Sequence, residues 1–213
     1  MTESILFPFY RSQGDFYCEP LSSKHKRLVK TFQTSHPEGK NVAGYLKKKA
    51  LEDQGAGLNR TFLVFDNEDG YLCGFFSLKA GLFPIEAKGK LFHSLPGIDL
   101  VYFAKNKNFV SLVPKIDIGS IIFFDFVLPL VKEAKKFVGA SYLYIYAIAS
   151  SRLQDNYRNK YGFSIPPKKV KEFVESHIKP DYDENCDFMF IHLTDNGKGT
   201  TTKVRKPNKT RRK

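Results

Sequence analysis

Cysteine is scarce in this 213-residue chain: Cys18, Cys73 and Cys186 are odd in number and far apart. That argues against a disulfide framework and points to a reducing compartment, the cytoplasm. Long apolar runs are missing as well. The longest, residues 118–131, falls short of the roughly 18 residues of a bilayer span and carries Asp125 and Pro129. The first residues show no charged stretch followed by an apolar run and a small-residue cleavage site, so no secretory signal is expected. His25, His36, His93, His177 and His192 form no HExxH or His-x-His spacing, and CxxC is absent, so no metal is expected. There is no GxSxG, no GxxxxGKS or GxxxxGKT and no GxGxxG, which leaves hydrolase-elbow, nucleotide-loop and dinucleotide readings without support.

Acidic residues are missing from one stretch only. Residues 197–213 hold eight Lys and Arg and no Asp or Glu, so of the net charge of +12 about +4 remains on residues 1–196. The composition of this stretch, Gly, Thr, Pro, Asn and basic residues, predicts a disordered tail over 196–213 after one domain over 1–195. The tail suits RNA contact, with a solubilising extension as the competing reading.

Hydrophobic spacing supplies the elements. The segment up to Pro20 is aromatic and irregular and is not placed. Leu21, His25, Leu28, Val29 and Phe32 recur at helical spacing, as do Val42, Tyr45, Leu46 and Ala50, with Lys47, Lys48 and Lys49 mostly on the opposite side. Residues 61–65 and 71–79 read as a hairpin across an Asp- and Gly-containing turn, and residues 98–104 as another strand. Residues 105–115 read as a polar connection. A long helix over 119–138 is kinked if Pro129 lies inside it. Residues 141–149 read as a strand covered on both faces. Ser151 with Gln154 makes a capping box for a short helix whose stripe is Leu153, Tyr157 and Tyr161 and which Gly162 closes. A lysine-rich helix over 167–177 and a strand over 186–193 complete the domain.

This order of elements, a mixed α/β (α+β) layout with a central mixed sheet flanked by helices, resembles the GNAT acyltransferases over most of residues 21–193. Two segments carry the likeness. Asp155-Asn156-Tyr157-Arg158-Asn159-Lys160-Tyr161-Gly162-Phe163 is similar to the signature helix F-Y-E-K-x-G-F, and Tyr102-Phe103-Ala104-Lys105-Asn106-Lys107-Asn108-Phe109 to the strand end L-A-V-D-P-x-x-Y. The first half, with Phe32 before a break and then a helix over 42–51, resembles the GNAT toxins that acetylate aminoacyl-tRNA.

The resemblance implies acetyl-CoA as co-substrate, no metal, and an amine acceptor, of an aminoacyl-tRNA or a protein. Pantetheine would pair along Val101, Tyr102, Phe103 and Ala104, whose backbone donors would polarise the thioester oxygen. The diphosphate would meet the helix start at Gly119 and Ser120, with Lys115 adding charge; Ser151 is a further cofactor contact. Residues 114–119 keep one glycine of the family's R/Q-x-x-G-x-G/A loop and place Asp117 where the first glycine would stand. The family's proton-donating tyrosine stands four residues before the glycine, a place taken here by Arg158, and Tyr157 falls one earlier. With an extra residue in that helix Tyr157 is the general acid; in a regular helix Tyr157 is core and Arg158 steadies the leaving group. His93 and Asp99 are the nearby bases, each read first as a solvated loop or turn residue. The lack of a strong base favours an α-amino group, whose ordinary pKa is about 8, over lysine at about 10.4. A competing reading is a GNAT-shaped module without catalysis that binds nucleic acid or a ribonucleoprotein through the tail. The sequence leaves a homodimer open and shows no membrane partner.

Overall fold

The β-branched and aromatic runs pair into one sheet of seven strands whose spatial order follows the chain. The computed structural model describes residues 11–87, 90–177 and 186–193; the basic tail and residues 1–10 lie outside them. Strands β1 (Arg11–Gln13), β2 (Phe16–Pro20), β3 (Arg60–Asp66), β4 (Leu72–Ala87) and β5 (Lys90–Lys105) run antiparallel, each to the next. β6 (Tyr142–Ile148) lies parallel to β5, and β7 (Cys186–His192) is antiparallel to β6. A parallel pair needs a long crossover. Here it is helical: α4 (Lys107–Leu112), then α5 (Ile118–Ile121), a widened turn (Ile122–Val127) and α6 (Leu128–Val138).

Two apolar clusters sandwich the sheet. On one face, Phe76, Leu100, Leu143, Ile145 and Met189 from the strands pack against Ile118, Ile122, Phe123, Phe126 and Val131 of the crossover. On the other, Leu63, Phe75, Tyr102, Tyr144 and Phe188 meet α1 (Lys26–Val29), α2 (Lys40–Lys48), α3 (Ala50–Gly55) and α8 (Lys168–His177). Each fully buried phenylalanine in these layers contributes roughly 1.5–3 kcal/mol relative to an exposed one. The crossover face also receives α7 (Ser151–Asp155), which continues into a second widened turn, Asn156–Lys160.

Two departures inside the sheet shape the candidate site. Ser77 of β4 pairs with Tyr102 while Leu78 pairs with Leu100, so Val101 is a bulge residue on β5. The bulge turns Val101 and Tyr102 toward the same cluster and leaves Phe103 facing the other. Next, β5 and β6 pair only from Gly97↔Tyr142 to Asp99↔Tyr144, and beyond that point the strands are not joined. The sheet is open between residues 100–105 and 145–148.

Several sequence expectations change. The unplaced segment before Pro20 holds the hairpin β1–β2, turning at Gly14 in left-handed conformation, with β2 paired to β3. The strand expected over 98–104 begins at Lys90, because β4 and β5 form one long hairpin that takes in Pro84 opposite Ser94 and Pro96 opposite Leu82. The polar connection contains α4, capped by Asn106, whose Oδ1 accepts from the Asn108 N–H. The long helix keeps Pro129 inside it: the widened turn just before the proline absorbs the missing donor and the bulk of its ring. It ends at Gly139, φ 63°, whose N–H bonds the Lys135 carbonyl. Among the described residues no helix is long and apolar enough to cross a membrane.

Candidate functional site

The opening between β5 and β6 is walled by Val101, Tyr102, Phe103 and Ala104 on one side and residues 145–148 on the other. Tyr102 is buried on the α2 face, stacked on Tyr45 with ring centroids 3.7 Å apart. Phe103 looks the opposite way, toward Phe123 at 6.3 Å, Tyr161 at 5.7 Å and Tyr157 at 6.5 Å. The bulge thus gives the two sides of the opening different linings.

On the crossover face the start of α5 meets the end of α7. Asp117 caps α5, its Oδ1 accepting from the Ser120 N–H at 3.5 Å and its Oδ2 from the Ser120 hydroxyl at 2.8 Å. The same carboxylate is ion-paired with Lys160. Partial burial works against ionisation of Asp117, but Lys160 and Ser120 outweigh it and hold the carboxyl below its ordinary range. Gly119 is buried beneath Tyr161. Lys115 is exposed on the loop leading to this end. An anion arriving here finds the cap position already held by a carboxylate, and Lys160, exposed at its rim, is the cation nearest to that carboxylate.

The helix that begins at Ser151 ends in a widened turn, the feature that one of the two alternatives for Tyr157 calls for. In the Asn156–Lys160 turn the Tyr161 N–H bonds the Asn156 carbonyl at 3.2 Å, five residues back, and the Phe163 N–H bonds the Tyr157 carbonyl at 2.9 Å. Tyr157 is nevertheless buried, with Phe163 at 5.5 Å and Tyr161 at 5.7 Å between ring centroids. The two alternatives therefore meet in one geometry, a bulged helix with an inward ring. Burial, with Tyr161 and Cys186 adding to it, pushes the Tyr157 phenol up, so it is protonated at neutral pH. Its hydroxyl bonds no described residue. Arg158 is exposed. The capping box expected from Ser151 is not formed: Ser150 holds the cap position, without a side-chain bond. Gln154 instead donates to Asp187 of β7, which also accepts from Lys171 at 2.7 Å; a charged acceptor outcompetes a backbone one. Ser151 is exposed.

Asp99 is the main correction. It is no loop residue: it lies inside the β4–β5–β6 ladder, opposite Lys79 and Tyr144, and is 4% exposed. It is the last residue of β5 paired to β6, at the foot of the opening. The Lys79 ammonium is 3.9 Å from Oδ2, and Oδ1 has no partner among the described residues. Burial pushes its carboxyl up to about 7, against the pull of Lys79. Tyr144 and Tyr146 feel its charge, which puts Asp99 on their face, opposite to that of Tyr157. His93 also lies in β5, opposite Ile85 on the outer hairpin, and so is not a turn residue.

The structure thus gathers Phe103, Gly119, Ser120 and Tyr157 near one end of the opening and Asp99 at its foot, and leaves Lys115, Ser151 and Arg158 exposed. The sequence gives no role to Lys160, the partner of Asp117, and reads Tyr161 as part of an apolar stripe without its place over Gly119. The signal for Asp99 is a single acid inside an apolar run, Ile98-Asp99-Leu100-Val101-Tyr102.

No family model matches the chain, and no curated protein does. Solved structures do. The toxin AtaT complexed with acetyl-methionyl-tRNAfMet superposes with a TM-score of 0.57 at 15% identity, covering 82% of this chain and 94% of that one. A tyrosine-to-phenylalanine variant of AtaT bound to the C-terminus of the antitoxin AtaR and acetyl-CoA gives 0.55 at 15% identity, over 82% and 92%. A tyrosine-to-phenylalanine variant of KacT gives 0.54 at 16% identity, over 84% and 95%. The architecture shared with these toxins is the GNAT fold.

Proposed function

We propose that this GNAT-fold chain is an acetyl-CoA-dependent N-acetyltransferase, and that its acceptor is the amino group of an aminoacyl-tRNA. One observation carries the reading: the opened strand pair has a buried, uncommitted phenol on one face and a buried carboxylate with a free oxygen on the other. Acetyl-CoA supplies an acyl group on a thiol leaving group. A thioester threaded between β5 and β6 would present its sulfur to the Tyr157 face and its carbonyl carbon to the Asp99 face.

The chain's own groups then divide the proton work. Asp99 removes a proton from the incoming ammonium; a carboxyl near 7 is matched to an α-ammonium of pKa about 8 and poorly to a lysine at about 10.4. Backbone donors of Val101, Tyr102 and Phe103 along the unpaired β5 edge polarise the carbonyl oxygen. Tyr157 gives its proton to the departing sulfur and regains one from the nitrogen as the tetrahedral adduct collapses to the amide, while Arg158 at the rim offsets the negative charge that builds on the sulfur before that transfer. Lys160, Lys115 and the N–H groups at Gly119 and Ser120 would hold the diphosphate once Asp117 turns aside. AtaT is complexed with acetyl-methionyl-tRNAfMet, which supports an aminoacyl-tRNA as the acceptor here, and the basic charge of this chain suits a polyanion.

One observation favours a second reading, a module without catalysis that binds nucleic acid: a carboxylate, Asp117, caps α5 at the place a diphosphate would take. Radiolabelled acetyl-CoA incubated with charged tRNA separates them. Label is expected in the aminoacyl-tRNA, with losses of about 100-fold or more in kcat for both Asp99→Asn and Tyr157→Phe. Failure of the wild-type protein to transfer label to tRNA-linked, peptide or small-molecule amines would favour the second.

A further inference from the structure

A cavity of about 210 Å³ lies away from the strand opening, between the α1 segment and the α2–α3 pair. Its floor is aliphatic, with Val29 and Leu46, and its rim carries Lys26, Lys30, Lys47 and Lys48. All four lysines are exposed, and none forms an ion pair with a described residue. Elsewhere Lys24, Lys136, Lys160, Lys168 and Lys171 each have a carboxylate. Residues 21–51 contain eight Lys and Arg and a single acid, Glu38.

Four uncompensated ammonium groups around one mouth repel one another, and an anion with several charges relieves that repulsion. Lysine is a point charge without the planar fork that selects carboxylates, and it tolerates a phosphate in any orientation. The floor offers no aromatic ring for a base to stack on, so the contact falls on the backbone and not on sequence. Location adds to this. The opposite side of α2 carries Tyr45, stacked on Tyr102 beside the β5 bulge, and Val29 and Leu46 belong to the same cluster as Tyr144 and Tyr146, the neighbours of Asp99. A strand held at the cavity lies one helix layer from the Asp99 side of the opening.

We propose that this lysine-rimmed cavity docks the phosphodiester backbone of the RNA that carries the acceptor amine. The link to an acceptor rests on the acetyltransferase reading; the binding itself does not. The test uses the full chain, so any contribution of residues 197–213 is common to every arm. Fluorescence anisotropy of a labelled RNA hairpin with a single-stranded 3′ overhang is followed against KCl for wild type, for K26Q/K30Q/K47Q/K48Q, and for a control, K132Q/K136Q. Expected is a loss of about tenfold or more in affinity at low salt and a slope of log K on log salt shallower by about two to three in the quadruple variant. The control should keep wild-type values, a scrambled hairpin should bind equally, and the thermal melt should not move because the replaced groups are exposed.

No RNA binding by wild type, an unchanged slope, an equal effect in the control, or tighter binding of poly-glutamate than of RNA overturns the proposal. The assay contains no acetyl-CoA, so the two readings fail separately. RNA held through the four lysines without acetyl transfer removes the enzyme reading alone. Transfer to charged tRNA with unchanged KM in the quadruple variant removes the docking site alone.

Discussion

The hydroxyl of Tyr161 lies so close over Gly119 that a β-carbon placed on that glycine would stand 2.6 Å away. The Tyr161 ring cannot swing clear, because Phe103 and Phe123 hold it at 5.7 and 4.8 Å. Gly119→Ala should therefore destabilise the fold by about 1–3 kcal/mol, the usual cost of overpacking. Tyr161→Phe in the same chain should recover most of that loss. Denaturant unfolding of the two single variants and the double variant checks the coupling; additive effects would mean that the two residues do not share this contact.

Asp99 predicts an unusual dependence of stability on pH. Its carboxyl is raised from the ordinary 3.8 to about 7 by burial, so the folded state holds a proton that the unfolded state gives up. The stabilising contribution of that protonated form is complete below about pH 4 and is lost as pH rises through 7. Asp99→Asn keeps the shape and removes the ionisation. The variant should be more stable than wild type at pH 8 and nearly equal at pH 4, by thermal melts in matched buffers. In wild type the rate of acetyl transfer should rise with an apparent pKa near 7, and the Asn variant should lose that limb.

Asp117 predicts the reverse sign. Its carboxyl is lowered by Lys160 and Ser120 against partial burial, so its contribution is present above the ordinary carboxyl range and is lost as pH falls. The group is well exposed, and the effect on stability is that of a helix cap, about 1 kcal/mol. Under the proposed function the larger effect falls on acetyl-CoA binding. Asp117→Asn removes a negative charge from the place where a diphosphate would sit, so calorimetry should show tighter acetyl-CoA binding by several-fold. Binding of pantetheine, which lacks the diphosphate, should not change.

The signature helix gives the sharpest residue-level contrast. Tyr157 is buried with an uncommitted hydroxyl, whereas Arg158 is exposed one residue later. Tyr157→Phe should lower kcat by about 100-fold or more at unchanged KM for acetyl-CoA, and Arg158→Gln by far less. Single-turnover kinetics of both variants check the order; a larger loss for Arg158→Gln would mean that Arg158, and not Tyr157, serves the leaving group.

Which elements are legible in the sequence depends on how local their causes are. Helical spacing at Val42, Tyr45 and Leu46, the turn between β3 and β4 and the apolar β6 run rest on local periodicity, and they stand where expected. The N-terminal hairpin is hidden because its first strand is only three residues long and its second is held on the other side by β3, some 45 residues on. Pro84 and Pro96 make the outer β4–β5 ladder look like a loop, although both sit within it. The site divides in the same way. Motif likeness singles out Phe103, Gly119 and Tyr157, which the fold brings near one another, and the bulge in the helix carrying Tyr157 is one of the two alternatives that the spacing leaves open. Asp99 is visible but reads as a turn residue, since its burial comes from β4 and β6 closing on it from either side. Lys160 cannot be paired with Asp117 from spacing alone, because a helix and a crossover distant in sequence bring them together.

The central claim is that a thioester cofactor lodges where β5 and β6 part. Calorimetric titration of the full chain with acetyl-CoA tests it most directly, repeated with Phe103→Arg, which places a bulky charge in the opening. Saturable binding of one cofactor per chain is predicted, with a dissociation constant below a millimolar, together with its loss in the variant. Absence of binding at every salt concentration, or equal binding by Phe103→Arg, would contradict the claim.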